Sequence, residues 1–492
     1  MPTTQPQPKT PPLATALRPR ATGGGLAEQL AELFAERIAQ HQLAAGARLP
    51  SVRDCARRHG VSPSTVVSAY DLLQARGLAQ ARPQRGYFVR DGAGGEGAAP
   101  AARAATEAAA QAAPLPAPVD ATALIRSMFQ AQGGLPAPGM GTLPVAWLDA
   151  GLLQRALRRV CAQPEPWLSY GEPAGDASLR AALSRRLADL GVAATPGQIV
   201  TTVGATHGLD LVARTLLQPG DAVLVDEPGW AVEYARLTRM GMRLLPVPRT
   251  ADGPDLAVLA ALLQAHSPKL YVTVSVLHNP TGGTLSPACA HQVLSLAEAH
   301  DLTLVEDDSY AWLAPPHATR LAQLDALRRT VYVGGFSKIL TPQWRVGFVA
   351  AAPALAERLI DTKLLTTLTT PGPLEQALAW CLDQGALRRH AERVTTQLDA
   401  SRTRSVRLAR DAGCTFAAPP AGLFGWLDVG CDTEALAQLL LADGWLTAPG
   451  TLFHATPRPT TLMRINFATA QDPRFWRQLK QARTTLHTSG DA

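Results

Sequence analysis

Residues 91–120 read DGAGGEGAAPAARAATEAAAQAAPLPAPVD, with 13 alanines, four glycines, four prolines and almost no large apolar side chain. Such a stretch buries too little apolar surface to repay the entropy of ordering it. It reads as a linker whose alanine-rich middle is partly helical. The 492-residue chain must therefore fold as separate bodies on either side, a small one over residues 21–90 and a large one over residues 121–490. Residues 1–20 read as a disordered tail. No repeat of 20–50 residues is present.

Charge separates the two bodies as well. Residues 1–90 carry 12 Lys and Arg against 5 Asp and Glu, a balance of +7, whereas the whole chain stands at +6. The basic excess lies in the first fifth and suggests a polyanion partner there; a solvated basic surface would look the same on charge alone. The six cysteines, at 55, 161, 289, 381, 414 and 431, show no CxxC spacing and no accompanying His cluster. That pattern argues for a reducing compartment, without a disulfide framework or structural zinc. The N-terminus lacks the apolar segment of a secretory signal, and no long uncharged apolar run occurs, so the expectation is a cytoplasmic protein with no membrane span.

In the small body, Leu30, Phe34 and Ile38 recur at i, i+4, i+8 and mark one helical face. Ser51 is placed to cap a second helix, VRDCARRH, which ends at Gly60. Ser62 caps a third, with Pro63 at its first position and Gly77 closing it. Val66, Tyr70 and Leu73 face inward, and Ser64, Thr65 and Ser68 outward. LAQARPQRGYFV then forms a two-stranded wing. Helix, helix–turn–helix and wing make a DNA-reading arrangement, and small polar residues at the third helix's N-terminus suit entry into the major groove. The body resembles the GntR-type winged helix over about 60 residues, through ARLPSVRDCA and GVSPSTVVSAYDLLQARGL. The resemblance implies Arg53, Ser62, Ser64, Thr65, Arg85 and Gly86 as DNA contacts. Pro63 departs from it, standing where many relatives carry Arg.

In the large body, β-type runs alternate with helical ones: AVLVDEP (222–228), KLYVTVSV (269–276), LTLVEDD (302–308) and TVYVGGFS (330–337). Short, continuously apolar strands with helical spacers indicate a mainly parallel sheet covered on both faces. Lys338, one of only five lysines, follows the last of these on a glycine-flanked turn. A lysine amine condenses with an aldehyde to a Schiff base, and its neighbourhood suits pyridoxal phosphate. That cofactor needs a carboxylate on its ring nitrogen, donors to its phenolic oxygen, a phosphate cradle and a flat wall. Asp307 suits the first need, and Tyr310 and Asn279 the second. The N–H groups of Ala205 and Thr206 at a helix start, with Ser337 and Arg345, suit the third. Trp230 in DEPGW suits the fourth. Each has an ordinary structural reading taken singly: surface pair, turn, helix cap, core ring or ion pair. Their shared position at the C-terminal ends of strands, where α/β sheets bind ligands, is what joins them.

Residues 165–470 resemble fold-type I aminotransferases of the aspartate/kynurenine type, through YGEPAGDASLRAAL, GATHGLD, DEPGW, HNPTGG, EDDSY, SKILTPQWRVGF and MRINF. The resemblance implies Lys338 as the Schiff-base lysine, Asp307 as the ring-nitrogen partner and Arg464 as the residue that takes an α-carboxylate. It also implies that Tyr170 reaches the phosphate of a neighbouring subunit's cofactor, hence a homodimer. Gly335 and His207 depart from it, replacing a serine and a glutamine of many relatives. The whole chain resembles the MocR subfamily of regulators. Its expected architecture is an N-terminal winged helix–turn–helix (α+β) joined to a fold-type I α/β body with a smaller C-terminal α+β part. The implied function is a pyridoxal-phosphate-dependent transcriptional regulator that senses the cofactor or a small amine. The implied dimer is domain-swapped head to tail on double-stranded DNA with two half-sites. The alternative is an aminotransferase with a vestigial DNA-binding head.

Overall fold

The computed structural model describes residues 25–39, 43, 46–82, 86–90, 135–162 and 168–490. The tail 1–20, the linker 91–120 and Arg85 lie outside the described residues. The chain divides into two compact units, one of residues 1–136 with 438–446, the other of residues 137–437 with 447–492.

In the head, α1 (Leu26–Ala39), α2 (Val52–His59) and α3 (Pro63–Ala75) precede the antiparallel pair β1 (Ala79–Arg82) and β2 (Gly86–Val89). The caps fall where the sequence places them. Ser51 accepts from the Asp54 N–H and Ser62 from the Thr65 N–H, and Gly60 closes α2 in the left-handed region at φ 64°. Leu30, Phe34, Ile38, Val66, Tyr70 and Leu73 form one core. Tyr70 is fully buried, stacks edge-on against Phe34 with centroids 5.6 Å apart, and donates its hydroxyl to Pro50 O at 2.9 Å. Each such buried side chain contributes about 1.5–3 kcal/mol, which is how so small a unit holds a wing against a helix pair.

The body is built on a seven-stranded sheet in the order β3-β9-β8-β7-β6-β4-β5. Its strands are β3 (Ile199–Thr202), β4 (Ala222–Glu227), β5 (Arg243–Pro248), β6 (Leu270–Thr273), β7 (Thr303–Asp307), β8 (Thr330–Gly335) and β9 (Gly347–Ala350). Only β9 runs against its neighbours. Alternate residues serve opposite faces: Val223 and Val225 enter one apolar cluster, Ala222 and Leu224 another. A strand buried on both sides must be apolar throughout, which is why these runs do not alternate in sequence. A second, antiparallel sheet in the order β10-β11-β13-β12 comprises β10 (Thr415–Phe416), β11 (Phe424–Asp428), β12 (Ala448–Pro449) and β13 (Leu462–Asn466). The predicted strands at 269–276 and 330–337 are shorter than read. After Thr273 the chain leaves the sheet, and the Val274 N–H donates instead to the Asp226 carboxylate at 3.0 Å. Among the described residues, no helix is long and apolar enough to cross a membrane.

Candidate functional site

The carboxyl ends of β3, β4, β6, β7 and β8 converge on one edge of the body's sheet. β7 ends in Asp307, which is buried, with Oδ1 accepting from the Ser309 N–H at 3.0 Å and from its hydroxyl. Burial, with the nearby Glu233 and Asp308 charges, pushes its carboxyl up to about 6. Asp307 lines a small cavity together with Trp230, Asn279, Asp226 and Glu233. The structure thus brings the expected acid, amide and flat ring around one space. Tyr310 is buried beside it, its ring edge-on to Phe424 at 5.5 Å.

The turn from β3 into α4 (Gly204–Leu216) places Ala205 and Thr206 at the helix start. Gly204 sits at φ 77°, and a Cβ there would lie 2.5 Å from Arg345 Nη2. Arg345 donates to Ser337 Oγ at 3.1 Å and to Val203 O at 3.2 Å. The guanidinium, the serine hydroxyl and the free N–H groups of the helix start therefore share one concavity that only glycine leaves open. The departing His207 accepts from the Val203 N–H at 3.0 Å through Nδ1, so its ring serves this turn.

Lys338 follows β8, with Nζ donating to Gly141 O at 2.7 Å. Burial lowers its ammonium to about 8, helped by the charge of Arg464 and opposed by that of Asp307. Arg464, on β13, is buried between the rings of Phe424 and Phe453, 4.6 and 4.9 Å from their centroids. It donates to Asn279 Oδ1 at 2.9 Å and to Gly139 O at 2.7 Å, while its Nε is buried without a partner. Burial lowers this guanidinium to about 10.

A strand of chain absent from the sequence-based reading thus crosses the site. Asn466 Nδ2 donates to Met140 O and Thr142 O, each at 2.8 Å, so carbonyls from Gly139 to Thr142 satisfy Lys338, Arg464 and Asn466 in turn. The two glycines of APGMGT were the one available signal. Gly139 packs so closely that a Cβ would lie 2.4 Å from Ala448 N. Tyr170 is not brought to the group: it is 83% exposed, near the 88% exposed Leu168.

The residues present fit pyridoxal phosphate. A cradle that a Cβ would fill, a buried carboxylate beside an aromatic wall, a lysine of lowered basicity and a buried arginine with an unpartnered Nε make up the donor set its groups require. Among the described residues, no cluster of His, Cys, Asp and Glu could hold a metal.

In the head, the hydroxyls of Ser62, Ser64 and Thr65 form a cluster at the start of α3, with Oγ–Oγ and Oγ–Oγ1 distances of 2.7 and 2.8 Å from Ser62. Arg53 is exposed on α2, and Gly86 opens β2 at φ 96°. Val67 is also exposed on α3.

Residues 143–475 match the family of class I and II aminotransferases, and residues 26–89 the gntR family of bacterial regulatory proteins. The chain is 31% identical to the uncharacterized HTH-type transcriptional regulator YdcR of Escherichia coli (strain K12), over 92% of this chain and 97% of that one. It is 31% identical to the HTH-type transcriptional regulator TauR of Rhodobacter capsulatus, over 87% and 90%. The body is also 28% identical to the 2-aminoadipate transaminase of Thermus thermophilus, over 68% and 84%. Among solved structures, it has the fold of the α-aminoadipate aminotransferase LysN from Thermus thermophilus, with TM-score 0.68 and 24% identity over 74% of this chain and 95% of that one.

Proposed function

The chain belongs to the class I and II aminotransferase family in its body and to the gntR family of bacterial regulators in its head, and from that premise we propose that it is a transcriptional regulator whose body holds pyridoxal phosphate to sense a small amine. The observation that carries the reading is the coexistence in one chain of a capped, outward-facing helix α3 and of Lys338 set close to Arg464, Asp307 and Arg345.

Lys338 would hold the cofactor through Nζ. Asp307 would hold its ring nitrogen, Trp230 its face, and Asn279 and Tyr310 its phenolic oxygen. The N–H groups of Ala205 and Thr206, with Ser337 and Arg345, would hold its phosphate. When bound, pyridoxal phosphate supplies an aldehyde on which one amine is exchanged for another. Arg464 would take the carboxylate of an effector that has one; desolvated between two rings, its charge is stronger there than in water. Its unpartnered Nε is available for that carboxylate, whereas Lys338, on joining the cofactor, would release the Gly141 carbonyl. Segment 139–142 would then shift, and the chain running back from it leads through the linker to the head. A coupling of about 1–3 kcal/mol along that route would change DNA affinity about 5–150-fold.

Leu365, 90% exposed, lies in the last turn of α5 (Pro353–Thr366) and Leu368, 50% exposed, just beyond it, in the segment whose Thr370 O would lie 3.7 Å from a Cβ on Gly171, next to Tyr170. An apolar surface of this kind on one side of the body supports a homodimer in which Tyr170 of the partner subunit completes the phosphate site. Two heads per dimer match an operator with two half-sites.

A second reading, an aminotransferase that retains a head, is favoured by the assembly of Lys338, Asp307 and Arg464 around one space. The experiment is to titrate the full chain and Lys338→Ala with pyridoxal phosphate, then with a panel of amines and amino acids. The wild type gains a visible absorbance band that selected amines shift, and Lys338→Ala gains none. Rapid repeated turnover of an amino acid with a keto acid, without DNA binding, would favour the enzyme.

A further inference from the structure

The outward face of α3 is built from Ser64, Val67, Ser68 and Asp71, spaced i, i+3, i+4 and i+7, and all four are exposed. The opposite face, Val66, Ala69, Tyr70 and Leu73, is fully buried. Val67 is the one apolar side chain among these four, with 38% of its surface exposed. The helix, PSTVVSAYDLLQA, contains no lysine or arginine. The head's described cations lie off this helix, among them Arg53 on α2, Arg57 paired with Asp54, Arg76 paired with Glu32, and Arg82 stacked 4.6 Å over the Phe88 ring.

A reading helix discriminates by the groups it presents to base edges. Guanine is selected mainly by the paired donors of arginine or lysine on its O6 and N7 atoms, and this face has neither. Serine hydroxyls accept either partner. Ser62 is committed locally, capping Thr65 and bonding the Ser64 and Thr65 hydroxyls, while Ser68 makes no hydrogen bond among the described residues. Valine has one complementary feature in the major groove, the 5-methyl group of thymine. Asp71, at the far end of the face, repels phosphates, so the first two turns are what the groove admits.

Resting on the reading of the head as a DNA-binding domain, we infer that Val67 is a specificity-determining residue that packs on a thymine 5-methyl, and that the bases under α3 are read by methyl contact and hydroxyls. Guanine under this helix meets hydroxyls but no paired arginine or lysine donors. Sequence preference in each half-site then comes from α3 through thymine, whereas the cations of the head, all off this helix, contact phosphates and fix register.

The test uses the full chain and a duplex that it enriches from a random-sequence pool. Each thymine of the half-site is replaced in turn by uracil, which removes only the 5-methyl and leaves every hydrogen-bonding group in place. For the wild type, one or two such replacements per half-site weaken binding about fourfold, the worth of one buried methyl. In Val67→Ala, which shortens an exposed side chain and leaves the core intact, the thymine-over-uracil ratio at those positions falls toward one. Ser68→Ala retains the thymine-over-uracil ratio. Wild-type indifference to every uracil, or an unchanged ratio in Val67→Ala, overturns the assignment of Val67 while leaving the DNA-binding reading standing. Failure to enrich any duplex would instead remove that reading, and this inference with it.

Discussion

Lys338 is a weak base because it is desolvated beside Arg464, and its lowered value of about 8 has a kinetic consequence. Only the neutral amine attacks an aldehyde. An ordinary lysine near 10.4 is about 0.04% neutral at pH 7, whereas one near 8 is about 10% neutral. Capture of pyridoxal phosphate, followed by the growth of its visible absorbance, should therefore accelerate about tenfold per pH unit below about 8 and level off above it. Arg464→Gln removes a neighbouring positive charge, so the ammonium is held less weakly and the levelling point moves to higher pH. A profile that keeps rising to pH 10 would mean that burial does not set the reactivity of this amine. At this scale the sequence was informative where a residue's role is local: Lys338, Asp307 and Arg345 each announce themselves by the motif around them. Phe424 and Phe453 did not, because they reach Arg464 from two separate segments that sequence spacing cannot connect.

The turn from β3 into α4 shows how far an element's ends were legible. GAT at a strand end predicts a helix opening toward an anion, and the structure places Gly204 there in the left-handed region with no room for a Cβ beside Arg345. Gly204→Ala combines a left-handed backbone penalty of about 1–2 kcal/mol with displacement of Arg345. It should weaken the affinity for pyridoxal phosphate about tenfold or more in an absorbance titration. Affinity for pyridoxal, which lacks the phosphate, should be unchanged; an equal loss for both would mean that this turn does not cradle the phosphate. The strands themselves were readable from their unbroken apolar runs, but their C-terminal limits were not. KLYVTVSV stays β-like to Val276, yet the chain leaves the ladder after Thr273 because the Asp226 carboxylate offers the Val274 N–H a stronger acceptor. Segment 137–142 carried no period and lies some 200 residues from Lys338, so its place across the site emerges only from tertiary structure. In the head, by contrast, caps and i, i+4 contacts are local, and Ser51, Ser62 and Gly60 mark its helices directly.

For the molecule as a whole, the division is one of labour between a basic head, which carries +7 over residues 1–90, and a body whose remaining residues net to −1. On the proposed reading the head recognises DNA and the body a small amine, and one binding event must alter the other. Linkage makes that requirement reciprocal: an effector that weakens DNA binding is itself bound more weakly on DNA. The most direct measurement is the affinity of the full chain for a duplex it enriches, by fluorescence anisotropy at fixed salt, without pyridoxal phosphate, with it, and with it plus the amines that shift its absorbance. The account predicts that affinity changes about 5–150-fold between at least two of these states, and that Lys338→Ala binds the duplex equally in all three. Equal wild-type affinity in every state, under conditions where the absorbance shows the cofactor bound and exchanged, would contradict it.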